Sequence, residues 1–300
     1  MKKEYILSGP AAIFLCAVLW STAGLFIKLI EWHPLVIAGS RSILAAIVLY
    51  ILRQITSKKE ESQTKKIFSP FVILTGGILY ASTMILFVIA NKQTSAANAI
   101  LLQYAAPVWA ALLGLIILKE TPNWKQWVSL VMVGGGMFLF FNSSLGAGSL
   151  TGDILAFISG ITFGATAVFM RKAKDHSPIN IMIIANILTA LGTIPFFIMY
   201  PPVLSLSNLL IVLFLGIFQI GAAAALFSYG IKKVTSVQAM LISTIEPVLN
   251  PVWVLIVIGE VPQISAIIGG CIIIIAVLFS SMPGRRTVIT SGQKDDNNEN

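Results

Sequence analysis

Between Gly9 and Ser281 this 300-residue chain is a succession of apolar runs, nearly free of charge, each about as long as a bilayer is thick. About 20 apolar residues make one helical crossing, so ten segments are expected: 9–29, 34–53, 69–90, 95–118, 124–141, 150–170, 178–199, 206–228, 235–258 and 263–281. Runs of this length exclude a soluble core. In hydrocarbon every backbone N–H and C=O must be satisfied within the protein, and helices do so segment by segment. Composition agrees: 57% of residues are apolar and 11% charged, against roughly 45–50% and about 25% in soluble domains. An all-α polytopic membrane protein is the expected fold class.

The chain also repeats itself. Lys92, Leu101, Pro107, Val108, Glu120 and Pro122 fall on Lys232, Leu241, Pro247, Val248, Glu260 and Pro262 at a constant offset, and upstream Lys28 falls near Arg171 and Pro34 near Pro178. Two units follow, 1–148 and 149–283, with five helices each and a polar, acidic tail over 284–300 expected to be disordered. With an odd number of crossings per unit, the second enters the membrane upside down, giving ten helices in a 5+5 inverted repeat. Such duplicated halves characterise secondary transporters, whose binding site lies where the halves meet.

Basic residues set the expected orientation. With the N-terminus inside, all of the 20 Lys and Arg residues except Lys28, Arg41 and Lys92 fall in cytoplasmic loops or tails, as the positive-inside rule requires. Both termini are expected in the cytoplasm. The net charge of +8 is then explained by topology and anionic lipid, with no nucleic-acid partner. The Lys/Glu-rich stretch 54–67 reads as a solvated connection. The first segment follows Lys2 and Lys3, but it exceeds a typical signal core, lacks a small-x-small cleavage site and has a counterpart in the sixth segment; it is read as a helix of the fold.

Enzyme chemistry finds little support. Cys16 and Cys271 lie in apolar segments and suggest neither a disulfide framework nor a metal site. His33 and His176 are expected on opposite faces. The glycines of 146–152 lack a preceding strand, no P-loop lysine motif is present, and Gly134, Gly135 and Gly136 are placed to bring helices close. No cofactor or metal is expected, and no enzymatic activity.

Polar groups within the apolar segments remain. Glu246 lies about eleven residues into the ninth segment, roughly 17 Å deep, where an ionised group costs about 2.5–3.5 kcal/mol. It must face protein interior or water. Three roles stay open: a proton-coupling carboxylate, a counter-charge for a substrate ammonium, or a structural partner of an interrupted helix. Pro247 and Pro251 remove donors to the carbonyls of Ser243 and Pro247, and Pro107 does the same for Gln103, so two equivalent helices are expected to break at corresponding depths. Ser243, Thr244, Asn250, Gln103 and Tyr104 add hydrogen-bonding groups nearby. Arg41, about 10 Å inside its segment, is read as snorkelling, salt-bridged or holding a substrate carboxylate; were it to share a cavity with Glu246, the site would suit a zwitterion. Glu120 and Glu260 precede Pro122 and Pro262 and are expected to cap the helices that follow. Trp20, Trp109 and Trp253 fall mid-segment, either packing or lining a cavity.

Together these residues resemble the EamA-type transporters of the drug/metabolite transporter superfamily over about residues 9–281. The likeness rests on Leu19-Trp20, Arg41, Pro107-Val108-Trp109 with Lys119-Glu120, and Glu246-Pro247-Val248 with Gly259-Glu260. Members often carry Trp-Gly and Gly-Glu where this chain has Trp20-Ser21 and Lys119-Glu120, and the second half has no arginine matching Arg41. The resemblance implies a carrier in the cytoplasmic membrane for small metabolites, amino acids and related amines or carboxylates among them. The expected function is alternating-access transport, by export, with protons as the candidate coupling ion. Alternatives are a multidrug exporter of lipophilic cations and a non-transporting sensor or scaffold. Expected partners are the solute, protons and membrane lipid, in a monomer or homodimer.

Overall fold

The computed structural model describes residues 7–60, 69–94, 96–141, 149–175, 177–259 and 263–282, and every regular element among them is helical. In chain order these are α1 (Gly9–Ser21), α2 (Ala23–Lys28), α3 (Pro34–Glu60), α4 (Pro70–Gln93), α5 (Ala96–Gln103), α6 (Ala106–Leu113), α7 (Trp124–Phe141), α8 (Leu150–Lys172), α9 (Ile179–Met199), α10 (Leu206–Phe214), α11 (Ala223–Gly230), α12 (Ser236–Ser243), α13 (Ile245–Ile258) and α14 (Ile264–Ser281). Wider-turned π segments, Gly114–Leu118 and Leu215–Ala222, extend α6 and join α10 to α11.

By length and composition, eight stretches can cross a membrane: Gly9–Ile27, Pro34–Thr56, Pro70–Asn91, Asn98–Leu118, Leu150–Lys172, Ile179–Met199, Leu206–Gly230 and Ile264–Ser281. They match eight of the ten expected segments. The fifth forms α7, whose first turn carries Lys125 and Gln126. The ninth is divided at Thr244 into α12 and α13, and its apolar stretch Ser236–Leu249 is shorter.

Local sequence explains several helix starts. Ser8, Ser149, Ser205 and Thr235 each accept a backbone N–H from the first turn, satisfying a donor that the helix itself leaves open. Before α7 the cap is reciprocal: Gln126 N–H donates to Asn123 Oδ1 at 2.9 Å and Asn123 N–H to Gln126 Oε1 at 3.0 Å, a capping box. The ends of the fourth and ninth segments are also alike. Lys119 (φ 56°) and Gly259 (φ 80°), equivalent in the repeat, both take the left-handed conformation. Glycine adopts it freely, whereas Lys119 meets a Cβ clash there.

The two parts of the chain interleave. α4 packs on α8 and α9, α3 on α9 and the segment 215–222, α7 on α14, α1 on α11, α12 and α13, and α5 and α6 on α8. Each of these pairs joins a helix before residue 142 to one after residue 149. Glycine permits the closest approaches. A Cβ on Gly160 would lie 2.8 Å from the Leu102 carbonyl oxygen and 2.9 Å from that of Gln103, so α8 lies directly against the break between α5 and α6. Of the three consecutive glycines in α7, Gly136 makes a close contact, with α14 at Gly269, while Gly134 and Gly135 have nothing within 4 Å.

Candidate functional site

The two expected helix breaks are present. α5 ends at Gln103 and α6 begins at Ala106; α12 ends at Ser243 and α13 begins at Ile245. Pro107 and Pro247 sit in the first turn of the helix that restarts, where a missing N–H costs no helical bond. The breaks aim two side chains at one another. The Tyr104 hydroxyl donates to Glu246 Oε2 at 2.6 Å, the length of a charge-assisted O–H···O bond.

Around this pair lies a cavity of about 100 Å³ lined by Trp20, Tyr80, Thr83, Met84, Phe87, Gln103, Tyr104, Phe163, Gln219, Ile220 and Glu246. Its wall is aromatic on several sides. Phe163 is the hub, with ring centroids 6.0 Å from Trp20, 6.4 Å from Tyr80 and 6.4 Å from Tyr104. Behind the wall a polar network fixes orientations. Gln103 Nε2 donates to Ser159 Oγ at 2.9 Å, Ser159 Oγ donates to the Thr83 carbonyl at 3.2 Å, and the Thr83 and Thr162 hydroxyls meet at 2.7 Å.

Arg41 is buried in the bundle, 9% exposed. Its Nη1 donates to Gln219 Oε1 at 3.5 Å, Gln219 Nε2 donates to the Trp20 carbonyl at 3.5 Å, and Arg41 Nε has no partner among the described residues. Gln219 and Glu246, but not Arg41, line the cavity, so the shared space that would have suited a zwitterion is not formed by the two charges.

Of the sequence candidates, Glu246, Tyr104, Gln103 and Trp20 converge on the cavity. Ser243 and Thr244 do not: they are buried and donate to their own helix, at Ala239 O (3.0 Å) and Leu241 O (2.6 Å). The side chains of Asn250 and Pro251, and all of Glu260, Pro262, His176 and the tail 284–300, lie outside the described residues. Trp109 packs on Phe157, and Trp253 Nε1 donates to Ser21 Oγ at 2.7 Å. Tyr80, Thr83, Met84, Phe87, Phe163, Gln219 and Ile220 were not among the candidates. Gln219 alone carried a sequence signal, an amide within an apolar run.

Glu120 caps a helix, though not the one that follows it, which the Asn123–Gln126 box already closes. Its Oε2 accepts the backbone N–H of Ser236, at the start of α12, at 3.3 Å. Its Oε1 accepts Arg171 Nε at 2.7 Å, and Arg171 Nη1 donates to the carbonyls of Ile231 (3.1 Å) and Lys232 (2.7 Å). One cluster thereby ties the end of the fourth segment to α8, α11 and α12.

A multi-pass helical membrane protein with an aromatic cavity around a half-buried carboxylate is the class that this fold and site define. The sequence model of the EamA-like transporter family matches residues 7–142 and 150–282, and the chain belongs to that family. An "Uncharacterized transporter" of Archaeoglobus fulgidus is 26% identical over 275 residues, covering 91% of this chain and 96% of its own. The "Uncharacterized transporter YwfM" of Bacillus subtilis is 24% identical, covering 91% and 94%. A solved crystal structure of a protein superposes with a TM-score of 0.75 at 17% identity, covering 91% of this chain and 96% of its own, a likeness of fold alone. The protein is a membrane transporter.

Proposed function

We propose that the chain is a secondary transporter of the cytoplasmic membrane that exports small metabolites, amino acids and related amines or carboxylates, by alternating access, coupled to protons at Glu246. In this reading ten helices form a 5+5 inverted repeat of units 1–148 and 149–283, with both termini cytoplasmic, and the protein acts as a monomer or homodimer. The helix pairings support the repeat. Exchanging each segment for its counterpart turns the packing of α4 on α8 into that of the 206–230 segment on α1, turns α5 and α6 on α8 into α12 and α13 on α1, and carries α7–α14 and α3–α9 onto themselves.

The Glu246–Tyr104 bond carries the functional reading. A carboxylate whose protein partner comes from another broken helix is placed to exchange that partner for a proton or a cationic ligand as the helices separate. Of the substrate groups named, the amines are those that a carboxylate, an amide oxygen and an aromatic wall recognise. The rings alone also suit a lipophilic cation; the small volume argues against a bulky one.

Counterflow in proteoliposomes, with an amino-acid and amine panel and internal pH recorded, tests the reading. Solute flux with proton movement is expected, both lost in Glu246→Gln. Flux without proton movement, unchanged by that substitution, returns Glu246 to a structural role.

A further inference from the structure

The polar atoms on the cavity wall are not evenly divided between donors and acceptors. Ser159 is fully buried and gives its one hydroxyl proton to the Thr83 carbonyl, so towards Gln103 it can only accept. That holds the Gln103 amide with nitrogen towards α8 and leaves Oε1 with no partner among the described residues. Tyr104 occupies Glu246 Oε2 and likewise leaves Oε1 open. Gln219 is held at both ends, its oxygen by Arg41, which can only donate, and its nitrogen by the Trp20 carbonyl. The unengaged polar atoms of the wall are therefore two acceptor oxygens, one of them ionisable, together with the Trp20 indole N–H and the Tyr80 hydroxyl, which accepts as well as donates.

We infer that Glu246 Oε1 and Gln103 Oε1 form an ammonium subsite that selects ligands by their N–H groups, taking primary ammonium ions, free amines and amino acids alike, and rejecting quaternary ones. The inference rests on the cavity being the substrate site. The aromatic wall attracts any cation, methylated or not. The two oxygens discriminate, because a nitrogen without hydrogens fills the space and leaves both acceptors dry and unpaired. Gln103 is the specificity-determining residue; Ser159 and Thr83 are positioning residues that keep its oxygen facing the ligand.

The test is calorimetric binding to the full chain in detergent micelles at pH 7. The probes are tert-butylammonium, its near-isostere tetramethylammonium, and pivalate. tert-Butylammonium is expected to bind about tenfold or more tighter than tetramethylammonium, and pivalate not detectably. Gln103→Leu should bring the ammonium ratio close to unity by weakening the primary ion, and Ser159→Ala should shift it the same way by less. A variant that merely misfolds loses both cations together, and the ratio in the parent protein decides in that case. Equal or tighter binding of tetramethylammonium, preference for pivalate, a ratio unmoved by Gln103→Leu, or no binding of any probe overturns the inference. Counterflow separates it from the reading beneath: flux indifferent to N-methylation removes the subsite alone, whereas a folded protein with no flux of any solute removes the transporter reading with it.

Discussion

Arg171→Ala should destabilise the protein more than any other single loss of a charged side chain at the helix ends described here. The Arg171 guanidinium makes three hydrogen bonds, to Glu120 at 2.7 Å and to the carbonyls of Ile231 and Lys232 at 3.1 and 2.7 Å. Bonds to charged groups are worth about 1.5–3 kcal/mol each when buried. The ion pair is only mostly shielded, its side chains 14% and 21% exposed, so water repairs part of the loss. A net cost of about 2–4 kcal/mol follows, or roughly 5–10 °C in Tm. Thermal unfolding in detergent at one scan rate, followed by tryptophan fluorescence, reads it, with the exposed neighbour Lys172→Ala as control. Arg171→Lys should recover little, since an ammonium cannot reproduce the fork. Pairing Arg171→Ala with Glu120→Gln should give non-additive losses, coupled by about 1–2 kcal/mol. Additivity within about 0.5 kcal/mol, or an Arg171 effect no larger than that of Lys172, would refute the reasoning.

Other outcomes follow from equally local features. Tyr104→Phe keeps the ring and removes the donor to Glu246, so binding or counterflow should fall about tenfold or more with Tm lowered by only a few degrees; unchanged flux would detach this bond from transport. Gly160→Ala presses a methyl on two carbonyl oxygens and should cost about 1–3 kcal/mol, whereas Gly134→Ala meets nothing and should be neutral or slightly stabilising; thermal scans of the pair compare them directly. Lys119→Gly relieves the left-handed backbone and should stabilise by up to about 1 kcal/mol, while Gly259→Ala should do the reverse. Asn123→Ala opens the capping box of α7 at about 1 kcal/mol, again seen in Tm.

Segment boundaries were legible because hydrocarbon demands long uncharged helices, and eight of them recur as expected. The breaks at Tyr104–Ala105 and at Thr244 were legible from Pro107 and Pro247, and Glu246 from its charge. Tyr80, Thr83 and Phe163 were not. A membrane helix is apolar on every side, so no periodicity marks the face that looks inward rather than at lipid. Ser243 and Thr244 misled for a related reason. They adjoin Glu246 in sequence but precede the break, and each hydroxyl turns back to the carbonyl behind it. Glu120 was expected to cap the helix after it, but it accepts the backbone N–H of Ser236 instead, and no local pattern points across that separation.

The interleaving of the two parts also has a consequence for how the chain is made. Nearly every helix before residue 142 takes its main packing partner from after residue 149. During synthesis the earlier helices must enter the bilayer with those faces unmatched, and the nascent chain cannot complete its interior in the order in which it emerges. Arg41 is the charged case: its hydrogen-bond partner among the described residues, Gln219, lies 178 residues downstream. Until the 206–230 segment arrives, that charge depends on water, lipid headgroups or the insertion machinery for company, and substitutions there should be felt in the yield of inserted protein before they are felt in the finished fold.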